Sequence, residues 1–463
     1  MEALENGDLI AALGTPLGEA ALGIVRLSGR GAVEIVERIF YPRRTNLKLT
    51  EVPSHTIHLG EIRTGDGRVL DEVLVSVMRA PRTYTREDVV EIYCHGGVIP
   101  VRSVLDLVLK EGARLAEPGE FTKRAFLSGR VDLAQAEAVL DLIRARSETG
   151  RELALKQLGG SVSHTITDLR NKIKSILAEV EAELDFPEDV EPQPKQVRQK
   201  KIAALLEKVD HLVRGGQIGR FYREGLATTL VGKPNVGKST LLNLLLGEER
   251  ALVTEIPGTT RDLIEEVVLI KGIPLRLIDT AGIREHAGVV ERLGIARARE
   301  AATRADLVLA VLDAGTGVSD EDRLVLELLQ EKRGLVILNK IDLPEKRLTK
   351  SDLEPLAGGK PVVEISARFG WGRALLEEKI WEVVGAGVVA GEPVLITRAR
   401  HQAALKRVRA ALQAAGETLA GDWPLDCVAV DLWNAWFALG EITGDTVSED
   451  VIEEIFSEFC IGK

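Results

Sequence analysis

The sequence predicts a multidomain protein: an α+β domain at the N-terminus, an all-α helical domain assembled from two chain segments, and an α/β P-loop domain inserted between those segments. Three observations carry this. Gly232-Lys233-Pro234-Asn235-Val236-Gly237-Lys238-Ser239-Thr240 stands between an apolar run ending Leu230-Val231 and the leucine-rich stretch 241–246, the strand–loop–helix order of a Walker A phosphate-binding loop. Helical periodicity with few breakers occupies both flanks of that unit. Ahead of them, short strand-like and helix-like stretches alternate. The expected limits are 1–125 for the α+β domain, 126–220 for the first helical segment, 221–383 for the inserted domain and 384–463 for the second helical segment. At 463 residues, roughly 150 per domain gives about three domains.

In chain order, Leu9 to Leu13 and Leu22 to Leu27 are short strand candidates, and Gly31 to Phe40 has helical spacing. Thr56 to Arg63 and Val69 to Met78 flank Thr64-Gly65-Asp66-Gly67, which predicts a hairpin. Val89 to Tyr93 is a further strand, closed by His95-Gly96-Gly97 before an amphipathic helix over about 98–111. From Phe126 the style changes: Val131 to Ile143 and Ile166 to Leu184 predict long amphipathic helices. Asp185 to Pro194, acidic and carrying Pro187, Pro192 and Pro194, predicts the turn between helices. Lys201 to Val213 is helical again, and Gly215-Gly216 is expected to mark a boundary. After the inserted domain, helices are expected over His401 to Leu419, Asp426 to Leu439 and Val447 to Phe459.

The inserted domain carries the chemistry. Gly232 and Gly237 let the loop turn tightly, so that successive N–H groups point at phosphate oxygens, and the following helix adds its positive N-terminus. Lys238 brings a full charge to the β- and γ-phosphates, and Ser239 can ligate Mg²⁺. The strand Pro274 to Asp279 ends in Asp279-Thr280-Ala281-Gly282, where a carboxylate can hold Mg²⁺ directly or through water and Gly282 admits the γ-phosphate. Asn339-Lys340-Ile341-Asp342 follows the apolar strand Leu335 to Leu338. The Asp342 carboxylate can accept from both N1–H and the 2-amino group of guanine; adenine would leave it unpaired, so the nucleotide is GTP. Ser366-Ala367-Arg368, after Val362 to Ile365, suits a loop buttressing the base. Thr254-Glu255-Ile256-Pro257-Gly258-Thr259-Thr260 reads as a switch loop whose threonine closes over the γ-phosphate and completes the Mg²⁺ shell. Ile283 stands where many GTPases place a water-orienting glutamine, so that task passes to acids of the following loop, with Glu285 and Glu291 as candidates.

Composition narrows the class. Hydrophobic residues at 45% and charged residues at 28% are a globular balance with material for several cores. A net charge of −11 argues against wholesale coating of nucleic acid but leaves room for a local RNA contact. Cys94, Cys427 and Cys460, odd in number and far apart, predict no disulfide framework and a reducing compartment. Met1 to Asp8 lacks a basic leader and no run of about 18 apolar residues occurs, so a cytoplasmic protein with no membrane association is expected.

The chain resembles the MnmE (TrmE) family of tRNA-modification GTPases. The resemblance rests on Gly23-Ile24-Val25-Arg26-Leu27-Ser28-Gly29, Glu87-Asp88-Val89-Val90-Glu91, His95-Gly96-Gly97, Pro118-Gly119-Glu120-Phe121-Thr122-Lys123-Arg124-Ala125-Phe126, Asp132-Leu133-Ala134-Gln135-Ala136-Glu137, the GTPase motifs and the terminal Phe459-Cys460-Ile461-Gly462-Lys463. It implies an N-terminal domain that binds a tetrahydrofolate and dimerises. It also implies a heterotetramer with the FAD-dependent MnmG (GidA), adding a carboxymethylaminomethyl-type group at C5 of the wobble uridine of certain tRNAs. Folate residues implied are Arg26, Glu91, Arg130 and Lys463, with 5,10-methylenetetrahydrofolate as the one-carbon source and 5-formyltetrahydrofolate as its analogue; many members have lysine where Arg130 stands. The resemblance further implies K⁺-dependent hydrolysis with paired G domains, the cation held by Asn235, Thr254, the Ile256 backbone and Thr259. Mg²⁺ falls to Ser239 and Thr260, water orientation to Glu291, and a functional thiol to Cys460, catalytic or structural. Prenylation of Cys460 is excluded by its Ile-Gly-Lys tail. Two other readings are a ribosome-assembly GTPase switch, which would carry a basic RNA-binding appendage, and a scaffold with vestigial GTP binding. Intact Lys238, Ser239, Thr260, Asp279 and Asp342 argue against the latter.

Overall fold

The computed structural model describes residues 8–44, 46–247, 266–278, 299–385, 396–421 and 423–463, the side chain of Gln217 excepted. The chain divides into two compact units, residues 1–140 with 443–463 and residues 141–442.

In the first unit, seven strands form one sheet in the order β3-β4-β5-β6-β2-β1-β7: β1 (Ile10–Leu13), β2 (Leu22–Ser28), β3 (Phe40–Pro42), β4 (Thr56–Arg63), β5 (Val69–Met78), β6 (Val89–His95) and β7 (Arg114–Leu115). Neighbours are antiparallel except β1 and β7. The period-two alternation buries Val73, Val75 and Val77 of β5 beneath α1 (Ala32–Ile39) and α2 (Val98–Lys110), forming the unit's main core. The expected hairpin is β4–β5, with Leu59 opposite Leu74 and Gly67 at φ 85° in its turn. A second cluster gathers α3 (Glu120–Leu127), α4 (Leu133–Arg144) and α14 (Glu449–Ser457), with Leu133, Leu140, Phe456 and Phe459 buried together and the Phe126 and Phe456 rings 6.3 Å apart.

By contacts, residues 126–140 and 443–463 of the expected helical segments 126–220 and 384–463 group with the N-terminal residues. Helical periodicity reports an apolar stripe, not the core that stripe meets, so sequence pattern could not separate these helices from their neighbours.

In the second unit, α5 (Glu148–Leu158), α6 (Ser161–Asp185), α7 (Lys195–Glu224), α12 (Ala399–Ala420) and α13 (Leu425–Thr443) supply the helical part. The proline-rich stretch falls between α6 and α7, as expected. The boundary expected at Gly215-Gly216 is absent, because α7 runs through it. Gly216 and Gly219 serve packing within that helix. A Cβ on Gly216 would stand 2.9 Å from the Gln402 side chain, and one on Gly219 would stand 2.4 Å from the Ile396 carbonyl oxygen, so their lack of a side chain lets the chain around α12 approach. Between α7 and α12 lies a six-stranded sheet in the order β13-β12-β11-β8-β10-β9: β8 (Leu226–Val231), β9 (Glu266–Ile270), β10 (Ile273–Leu277), β11 (Leu307–Asp313), β12 (Gly334–Asn339) and β13 (Val362–Glu364). All pairs are parallel except β9–β10. Every residue of β8, β11 and β12 is buried, the mark of a parallel strand covered on both faces. The covering helices include α8 (Lys238–Leu246), α9 (Asp320–Gln330), α10 (Lys350–Leu353) and α11 (Arg373–Val384).

Candidate functional site

The strand order of the second sheet reverses at β8, with β9 and β10 on one side and β11 to β13 on the other. In an open α/β sheet the crevice at the strands' C-terminal ends at such a point is where ligands bind. The loop 232–237 leaves β8 there and enters α8, whose N-cap is Gly237 at φ 98°. No side chain caps α8, so its first N–H groups remain available to an anion. Ser239 and Thr240 lie exposed in its opening turn, and Val236 is buried below the loop. The Lys238 ammonium donates to the carbonyl oxygens of Gly232 (2.6 Å) and Lys233 (2.7 Å). Burial pushes its pKa below the usual lysine value, and among the described residues no carboxylate pairs with it. A desolvated cation held by neutral dipoles is complementary to a phosphate.

The base-reading residues are tied to this loop. Asn339, buried at the end of β12, donates from Nδ2 to the Val236 carbonyl (2.8 Å) and accepts at Oδ1 from the Ala367 N–H (2.9 Å). Lys340, at φ 66°, donates to the Asn235 carbonyl (2.7 Å) and to Asp313 (2.6 Å). Ser366 is fully buried and donates from Oγ to Asp342 Oδ1 (2.6 Å), which fixes the carboxylate. The Ser366 N–H donates to the Trp371 carbonyl (3.1 Å), closing the loop that carries exposed Arg368. The structure thus gathers Asn235, Val236, Gly237, Lys238, Asn339, Lys340, Asp342, Ser366 and Ala367 into one network. Asn339 acts in it as a brace rather than as an exposed contact. The sequence reading missed Asp313; its signal was an acid ending a wholly apolar strand beside the phosphate loop. Thr254, Glu255, Ile256, Pro257, Gly258, Thr259, Thr260, Asp279, Thr280, Ala281, Gly282, Glu285 and Glu291 lie outside the described residues.

The first unit holds a separate constellation. Arg26 on β2 and Glu91 on β6 are direct cross-strand partners, and Arg26 Nε donates to Glu91 Oε1 at 2.8 Å. The second oxygen of Glu91 accepts from Tyr93 Oη at 2.6 Å. Arg26 also donates to the Gly462 carbonyl (3.1 Å) and lies 5.7 Å from the centre of the Phe121 ring. The C-terminal tail is held on the Pro118–Phe121 stretch: Pro118 bridges Ile461, and the Phe121 N–H donates to the Lys463 carbonyl (3.1 Å). Arg26, Glu91 and the Gly462-Lys463 backbone therefore meet, although they lie far apart in sequence. Arg130 stacks on Tyr84 at 4.6 Å, and Tyr84 Oη bonds Thr122 Oγ1 (3.0 Å), the residue after Phe121. Tyr93 and Phe121 are members that sequence reasoning did not single out; Tyr93 was visible as the same-face neighbour two residues beyond Glu91. Cys460 is exposed, so it is not a core residue. Beneath the tail, Arg124 is buried and pairs with Asp8, Glu87 and Glu120. Burial alone would raise the Glu120 pKa, but hydrogen bonds from Arg114, the Glu117 N–H and Arg124 reverse it and hold the carboxyl below its usual range.

Comparison with known proteins gives two family matches, "MnmE helical domain" over residues 133–460 and "GTP-binding protein TrmE N-terminus" over residues 9–130. Among relatives, the sequence is 49% identical over 460 residues to a tRNA modification GTPase MnmE of Geobacillus kaustophilus, covering 98% of this chain and 99% of that protein. It is 48% identical over 461 residues to the Bacillus subtilis protein of the same name (98% and 100%), and 46% identical over 459 residues to that of Desulforamulus reducens (98% and 99%).

Proposed function

Because the chain belongs to the MnmE (TrmE) family of tRNA modification GTPases, we propose that it couples GTP hydrolysis to modification of the tRNA wobble uridine. It does so with an FAD-dependent MnmG (GidA) partner and adds a carboxymethylaminomethyl-type group at C5. The observation that carries the nucleotide part is the braced cradle: a desolvated Lys238 without a carboxylate among the described residues, and an Asp342 carboxylate fixed by Ser366.

In the cradle, loop N–H groups and Lys238 bind the β- and γ-phosphates, while Asp342 accepts from guanine and the Ser366-Ala367-Arg368 loop supports the base. Ser239 and Thr260 would hold Mg²⁺, and Asn235, Thr254, Ile256 and Thr259 would hold K⁺; both cations supply positive charge at the phosphates. Ser239, exposed in the opening turn of α8, carries the hard oxygen donor such an ion takes. Thr254 to Thr260 and Asp279 to Gly282 close over the γ-phosphate, and Glu291 orients the attacking water.

The constellation of the first unit suits a tetrahydrofolate, which supplies the one-carbon unit. Arg26 donates and Glu91 accepts, held over the buried Phe121 ring; a pterin has matching N–H groups and a ring oxygen. Arg130 and Lys463 complete the site, and Cys460 places a thiol on the same tail. Leu59 and Leu74, opposite one another and exposed with Ile57 on the sheet, support a homodimer through this face. Three free cysteines support a reducing, cytoplasmic location. Residues 221–383 form the inserted G domain of this reading, and no described helix is long and apolar enough to cross a membrane.

The test uses a host deprived of its own copy and complemented with this chain. Nucleoside mass spectrometry of its tRNA should find the C5-modified wobble uridine with the unaltered protein and not with Arg26→Ala. Modification retained in that variant would contradict the folate assignment.

A further inference from the structure

We propose that Lys233 and Asp322 form a positioning pair that holds the phosphate-binding loop ready for the nucleotide's phosphates. Lys233 is the second residue of the loop, and it is used twice. Its carbonyl oxygen accepts the Lys238 ammonium at 2.7 Å. Its own ammonium points away from that contact, to Asp322 Oδ2 at 2.7 Å and Ser319 Oγ at 3.1 Å.

Asp322 lies in the first turn of α9, where it closes a capping box with Ser319. Its Oδ2 accepts from the Ser319 N–H and hydroxyl, both at 2.9 Å, while Oδ1 is buried without a hydrogen-bond partner among the described residues. The Asp322 side chain is 3% exposed and that of Lys233 18%. A cap needs only an acceptor, and a carboxylate this deep is costly without a counter-ion. Among the described residues Lys233 is the cation that pairs with it. The pair therefore anchors the 232–233 stretch, whose two carbonyls aim Lys238, to a helix on the far side of the loop. This preorganisation favours phosphate binding, because the loop need not be ordered when the nucleotide arrives. The base-reading carboxylate of Asp342 is held by a bond from Ser366 Oγ, and the braces from Asn339 and Lys340 reach Val236 and Asn235 rather than the 232–233 stretch, so the pair bears chiefly on the phosphates.

The distinguishing readout is the affinity for GDP against that for GMP, measured on the full chain by calorimetry. GMP shares the base but lacks the β-phosphate that Lys238 serves. Lys233→Met and Asp322→Asn should each weaken GDP about tenfold, equal to about 1.4 kcal/mol, while GMP changes less than about twofold. Lys233→Arg, which keeps the ion pair, should restore GDP binding to within about threefold. If Asp322→Asn does not fold, the Lys233→Met and Lys233→Arg comparison decides alone. Equal losses for GDP and GMP, or unchanged GDP binding in Lys233→Met, would overturn the proposal.

Discussion

Replacing Asp342 by asparagine should exchange guanine for xanthine as the preferred base. The buried Ser366 hydroxyl donates to Asp342 Oδ1 at 2.6 Å, so an asparagine there would keep its carbonyl oxygen on Ser366 and turn its NH₂ toward the base. Guanine presents N1–H and a 2-amino group, so donors would face donors. Two hydrogen bonds to a charged acceptor, at roughly 1.5–3 kcal/mol each, would be lost, or about 3–6 kcal/mol in all. That corresponds to a fall in GTP affinity of roughly 10²- to 10⁴-fold. Xanthine carries a carbonyl at C2, which accepts from the new amide, so XTP should bind the variant more tightly than GTP. Competition against a fluorescent guanine nucleotide, with GTP, XTP and ATP as competitors, reads the order directly. GTP affinity unchanged in Asp342→Asn would refute the assignment of this carboxylate to the base.

Other outcomes follow from the same contacts. Phe121→Ala removes a fully buried ring that lies beneath Arg26, and should cost about 3–5 kcal/mol in chemical denaturation of the full chain. Gly219→Ala would place a Cβ 2.4 Å from the Ile396 carbonyl oxygen, and should destabilise by roughly 1–3 kcal/mol, read as a lower midpoint in the same assay. The Glu120 carboxyl is held low against the desolvation that opposes it, by Arg114, the Glu117 N–H and Arg124. A depressed carboxyl gives stability that is present above its unfolded value, about pH 4.3, and lost as the pH falls through its lower folded value. Thermal melts should therefore show the protein weakening in acid below about pH 4, and Glu120→Gln should flatten that limb of the curve.

Much of the architecture was legible in the sequence because it rests on local pattern. The β4–β5 hairpin follows from alternation around a Gly-containing turn, and the gap between α6 and α7 follows from its prolines. The phosphate loop was legible because its glycine, lysine and serine positions leave few alternatives. What was not legible depends on which surfaces meet. Helix α14 has the same apolar stripe as α12, yet it packs in the N-terminal unit. Gly215-Gly216 looks like a break in a string of letters, whereas in space the absence of side chains there lets Gln402 approach. The candidate folate site was reached through family resemblance, since Arg26, Glu91 and Lys463 become neighbours only through strand register and the docking of the tail. Tyr93 and Asp313 were missed for the same reason: a tyrosine on a strand and an acid at a strand's end acquire meaning only from the partner they bond.

The most direct measurement is GTP turnover by the purified protein in KCl and in NaCl at equal ionic strength, with Asn235→Ala beside the unaltered chain. Asn235 sits in the phosphate loop at φ 64°, its carbonyl held by Lys340. The account predicts strong stimulation by K⁺ that disappears in Asn235→Ala while GDP binding persists. Equal turnover in the two salts would contradict it, and would remove both the cation site and the paired-G-domain mechanism built on that residue.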